Sequence, residues 1–86
     1  MMSGMPTVLR KDGFDFMIYV DDHEPPHVHV FRERGELVVL LGDDQTRPVV
    51  RDRHGFSRGD EKRALRIIDE YQDFLRRMWE KLHGET

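Results

Sequence analysis

The residues best equipped for chemistry lie together in DDHEPPHVHVF, residues 21–31, where His23, His27 and His29 stand among Asp21, Asp22 and Glu24. Imidazole changes charge near neutral pH and ligates metals through either ring nitrogen. His27 and His29 are two apart. On a strand that spacing puts both side chains on one face, with backbones roughly 6.5–7 Å apart. Both rings then reach one metal ion or one phosphate. Pro25 and Pro26 fix φ near about −65° and remove two backbone donors, so His23 sits on a stiff approach to that strand.

Three chemistries are open to this cluster. In the first, His27 and His29 join His23 or Asp22 around a metal and leave one position for water. Zinc suits such a His-rich open site, and the neighbouring carboxylates can add ligands or hold a ring tautomer. In the second there is no metal. His27 and His29 act as an acid–base pair on a phosphodiester, with His23 as an auxiliary, one ring taking the 2′-hydroxyl proton and the other protonating the leaving oxygen. Arg51, Arg53 and Arg58 then contact phosphate and stabilise the charged transition state. In the third, the histidines are part of a strand face that docks a partner protein, and the prolines guard the strand end.

The totals bound these options. The chain has 86 residues, 37% hydrophobic and 36% charged, which fits one small domain spanning 1–86 with a modest core. It has no cysteine, so any metal must be held by His and carboxylates. No apolar run approaches the roughly 20 residues of a membrane span, and no signal segment is visible at the start; a cytoplasmic protein is expected. The net charge of −3 is uneven. Residues 1–46 carry a balance of −5, residues 47–66 a balance of +4, and residues 67–86 a balance of −2. The basic block is a candidate anion surface.

The elements that must position the cluster read as strands followed by a helix. TVLR (7–10) and FDFMIYV (14–20) flank Lys-Asp-Gly, a strong hairpin signal because Asp and Gly tolerate positive φ. Phe14, Phe16, Ile18 and Val20 share one face, expected as core. HVHVFR (27–32) alternates, with Val28 and Val30 toward the core and His27, His29 and Phe31 opposite. ELVVLL (36–41) reads as a central strand and PVVRDR (48–53) as an edge strand opened by Pro48. Ser57 with Asp60 resembles a capping box. From there Ala64, Ile67, Ile68, Tyr71, Leu75, Trp79 and Leu82 keep the 3.6 period. The expected fold is α+β: an antiparallel sheet of four to five strands over roughly 7–53, packed on one face by a single long C-terminal helix over roughly 57–83. His27, His29 and Phe31 fall on the uncovered face, which then meets solvent, a partner or a second copy in a homodimer. His83 reads as a surface residue compensating the helix dipole.

MPTVLR at the start, DDHEPPHVHVF, then GFS before a helix ending in WEKLHG together resemble the bacterial family named domain of unknown function 4160, over Met5 to Gly84. HEPPHVHV is the most specific part. The resemblance implies a small cytoplasmic protein without an assigned activity, encoded beside a second small protein in the manner of toxin–antitoxin pairs. Its marked positions fall on His23, Pro25, Pro26, His27, His29, Gly55, Phe56 and Ser57. The functional expectation is a toxin–antitoxin-type component that engages RNA or a small cognate protein through the face bearing His27 and His29. A non-enzymatic partner-binding module and a His-based metal protein holding zinc on His23, His27 and His29 are the alternatives.

Overall fold

A computed structural model describes residues 7–83. Five strands run as an antiparallel meander in sheet order: β1 (Thr7–Lys11), β2 (Phe14–Met17), β3 (His27–Arg32), β4 (Gly35–Leu40) and β5 (Val49–His54). Two helices follow, α1 (Arg58–Glu70) and α2 (Gln72–His83). No helix among the described residues is long and apolar enough to cross a membrane.

Local chemistry explains the turns. Asp12 and Gly13 both take positive φ, 55° and 83°, the backbone a two-residue hairpin requires. The β3–β4 hairpin also closes in two residues, Glu33 and Arg34, with Arg32 paired to Gly35. A Cβ on Gly35 would lie 2.5 Å from the Gly55 carbonyl oxygen, so only glycine lets these two backbones approach. β5 carries one extra residue: Val39 pairs with Val50 and Val38 with Asp52, leaving Arg51 in a bulge.

The core is the alternate set that the strand period selects. Phe14, Phe16, Ile18, Val28, Val30, Leu37, Val39 and Leu41 are fully buried, together with Ala64 and Ile68 of α1 and Leu75 of α2. Val20, expected in this set, is 54% exposed, because β2 ends at Met17 and the chain turns away before reaching it.

The helical region departs from the expected single helix. It breaks at Tyr71, whose φ and ψ are −105° and 20°. Neither Gly nor Pro marks the break. Its physical cause lies in the next residue. The Gln72 amide reaches across to three carbonyls of the β4–β5 connection, Leu41 at 2.7 Å and Asp43 and Thr46 at 3.1 Å. The interruption falls beside this tie to the sheet, and the hydrogen bonds from Tyr71 N–H to Ile67 and from Leu75 N–H to Tyr71 continue on either side of it. At the other end the expected cap is present: the Asp60 N–H donates to Ser57 Oγ at 3.1 Å.

Candidate metal centre

β3 and the segment leading into it bring the cluster together. Val28 and Val30 point into the core, so His27 and His29 face the other way and lie side by side, ring centroids 5.2 Å apart. Between β2 and β3 the chain turns at residues 19–22, closed by the Asp22 N–H donating to the Tyr19 carbonyl at 3.1 Å. That turn lays Asp22 over the two rings. His27 Nε2 lies 3.1 Å and His29 Nε2 3.0 Å from one and the same atom, Asp22 Oδ2.

The outward nitrogens are also engaged. His27 Nδ1 donates to the Pro25 carbonyl at 2.9 Å, and His29 Nδ1 meets Glu36 Oε2 at 3.0 Å. Glu36 reaches His29 because the two-residue hairpin pairs Phe31 with Glu36 and His29 with Val38, which makes Glu36 the diagonal neighbour of His29.

Aromatic rings wall the site. Trp79 stands 5.2 Å from His27 and Tyr19 stands 4.7 Å from His29. His83 stacks on Trp79 at 3.8 Å, and its two ring nitrogens lie 2.9 and 3.1 Å from the Trp79 and Tyr19 carbonyls. The end of α2 therefore clamps the turn that carries Asp22. Burial and the negative charges of Glu36 and Asp22 push the Tyr19 phenol above its ordinary range, so it stays protonated. The side chains of His27, His29 and Asp22 keep 4%, 13% and 20% of their surface exposed.

These positions revise the picture of an open histidine face. His27 is buried against Trp79, and the 19–22 turn covers part of the face expected to be bare. His83 is half-buried, whereas a surface position was expected. His23 is exposed and is not a member of the group; the ligand atoms lying within 4.8 Å of one another belong to Asp22, His27 and His29. Arg51, Arg53 and Arg58 make none of the cluster's hydrogen bonds or ion pairs. Arg53 pairs with Glu61 of α1 at 2.7 Å, Arg51 sits 3.8 Å from Asp52, and Arg58 lines a surface groove on the α1 side.

The family model for domain of unknown function (DUF4160) matches residues 13–80. The chain belongs to this family. The matched span includes Tyr19, Asp22, His27, His29, Glu36 and Trp79 and stops short of His83. Comparison with curated proteins and with solved structures gave no match.

Glu36 and Trp79 were not singled out as site residues from sequence. Glu36 was within reach of hairpin arithmetic, since fixing Glu33-Arg34 as the turn places it beside His29. Trp79 gave no such signal, because an aromatic at helical spacing reads as core, and Trp79 is core as well.

The proton count constrains what the cluster does. All four ring nitrogens face oxygen atoms that only accept when the carboxyls are ionised: the Pro25 carbonyl and the carboxylates of Asp22 and Glu36. A neutral imidazole has one N–H and one lone pair. Two neutral rings thus leave two lone pairs facing acceptors, both of them at Asp22 Oδ2 when each ring keeps its proton on Nδ1. The conflict is removed by further protons on the rings or on the carboxyls, or by a cation between the rings and the carboxylate.

Proposed function

We propose that this chain is a divalent-metal-binding domain with a His27–His29–Asp22 centre, and zinc is the first candidate ion. The observation that carries the reading is the orientation of the rings. Both Nε2 atoms converge on Asp22 Oδ2 while both Nδ1 atoms face outward, His27 to a carbonyl and His29 to a carboxylate. Metal-bound histidines are held in this way, the outer N–H fixing tautomer and ring plane. The distances fit. With ligand bonds of about 2.0–2.2 Å, neighbouring donor atoms lie about 2.8–3.1 Å apart in octahedral and about 3.3–3.6 Å apart in tetrahedral geometry; the 3.0 and 3.1 Å here match the octahedral spacing and would widen slightly around a tetrahedral ion.

Two imidazoles and one carboxylate suit a first-row divalent ion and leave at least one position for water or an exogenous ligand. A further carboxylate, Glu36, is engaged with His29. The shielded rings and the absence of an uncommitted base among these contacts support a structural or regulatory centre over a hydrolytic one. The ion would tie the 19–26 segment to β3, and its binding energy would stabilise that conformation. Acid–base cleavage of RNA by His27 and His29 fits less well, since it needs a ring nitrogen turned to substrate.

The toxin–antitoxin role attaches to the same residues as a second proposal, with an RNA or a small cognate protein engaged by the metal-organised segment. Loss of the effect on growth in a His27→Ala/His29→Ala variant tests it.

For the metal itself, protein stripped with EDTA is melted with and without zinc. A zinc-dependent rise is expected for wild type and for His23→Ala, and none for Asp22→Ala, His27→Ala or His29→Ala. An equal rise in all five proteins would refute the assignment.

A further inference from the structure

The groove between β5 and α1 carries four cations that form no ion pair among the described residues. One concavity, of about 320 Å³, is lined by Arg47, Pro48, Lys62, Leu65, Arg66 and Asp69. A second, of about 550 Å³, shares Lys62 and adds Arg53, Arg58, Gly59 and Glu61. Among the described residues Arg47, Arg58, Lys62 and Arg66 take part in no ion pair. The cations around them do: Arg53 meets Glu61, Arg63 meets Asp60, and Arg32 lies 3.5 Å from Asp60. Arg58, Lys62 and Arg66 stand at i, i+4 and i+8 on α1, so they form one row, each step rising about 6 Å. Like charges at this spacing repel one another. The row persists in a chain whose net charge is −3.

We infer that this groove binds the phosphate backbone of single-stranded nucleic acid without reading its sequence. A row of cations along a groove is the pattern a polyanion neutralises, and the guanidinium forks of Arg47, Arg58 and Arg66 match phosphate oxygens. An acidic peptide fits less well. Protein interfaces draw on an apolar centre, and here only Pro48 and Leu65 are apolar. No aromatic side chain lines either concavity, so base stacking contributes nothing and affinity must be electrostatic. This inference is independent of the metal centre, which lies on other elements.

The test is fluorescence anisotropy of a labelled twelve-nucleotide oligo-uridine across a sodium chloride series, with zinc and with EDTA. Four phosphate contacts predict a slope of log K against log salt of about −3, at about −0.7 per contact. Arg58→Gln, Lys62→Gln and Arg66→Gln should each shallow that slope by about 0.7, while Arg77→Gln, the same charge change on α2, leaves it unchanged. These exposed positions spare the core, and circular dichroism checks folding. Absence of saturable binding at low salt overturns the proposal. So does an equal loss in all four variants, or tighter binding of an oligo-glutamate than of the oligonucleotide. Binding that requires zinc and vanishes in His27→Ala/His29→Ala would move the contact to the sheet face and overturn it too.

Discussion

His27 and His29 present their Nε2 atoms to a single oxygen, Asp22 Oδ2, at 3.1 and 3.0 Å. One carboxylate oxygen therefore answers two rings from two directions, while each ring spends its other nitrogen on a separate acceptor. Removing that oxygen should be felt twice. Asp22→Asn offers an amide in its place; without metal it should cost about 1–3 kcal/mol, the usual range for a shielded polar group left poorly paired. It should also abolish the zinc-dependent rise in melting temperature. Urea unfolding in EDTA and thermal melts with zinc measure the two effects separately.

Glu36 touches the centre only through His29 Nδ1. Outer partners of this kind tune affinity more than fold, so Glu36→Gln should weaken zinc binding about 10–100-fold. The side chain is 35% exposed, so the urea midpoint of the metal-free protein should move little. Competition with a chromogenic chelator gives the affinity.

Trp79 serves both core and site. It is 2% exposed and stands 5.2 Å from His27. Trp79→Ala should cost about 3–5 kcal/mol, enough to leave a small domain largely unfolded at 37 °C by circular dichroism. Trp79→Phe should stay folded. As the sole tryptophan of the chain, Trp79 should change its fluorescence as zinc is titrated into the wild type.

Gln72 ties the helix break to the β4–β5 connection through three carbonyls. Gln72→Leu keeps a side chain of similar size but takes this donor from the Leu41 carbonyl, while the Asp43 and Thr46 carbonyls keep each other's backbone N–H. It should destabilise by about 1–3 kcal/mol and speed amide exchange in residues 43–46, measurable by NMR, with zinc affinity unchanged.

Asp43 organises that same connection. Hydrogen bonds from the Gln45 backbone and the Thr46 hydroxyl hold its carboxyl below the ordinary carboxylate range. A depressed folded value means that the turn is supported above the unfolded pKa and loses support as pH falls through the folded one. The Gln45 and Thr46 amide signals should therefore titrate together at a pH below that of an unstructured aspartate, and Asp43→Asn should remove the transition.

Much of this fold is written in local patterns. The Asp12-Gly13 hairpin, the alternation of Val28 and Val30 against His27 and His29, and the Ser57 cap each rest on neighbours in sequence, and each is present. The break at Tyr71 was not legible because its cause, Gln72 reaching Leu41, spans 31 positions. The candidate site divides the same way. His27 and His29 stand out by type and spacing. His23 stood out equally, and the geometry leaves it aside because the turn at 19–22 brings Asp22 over the rings instead. Trp79 and His83 join from α2, and no spacing within residues 21–31 points to them.

The central claim is that His27 and His29 bind a metal through Nε2 and keep a proton on Nδ1. Long-range proton–nitrogen NMR of the histidine rings reads both properties atom by atom during a zinc titration. The account predicts that one equivalent of zinc shifts the Nε2 signals of His27 and His29, preserves their Nδ1–H pattern, and leaves His23 and His54 unmoved. Ring signals of His27 and His29 that stay in place, or a response centred on His23, would contradict it.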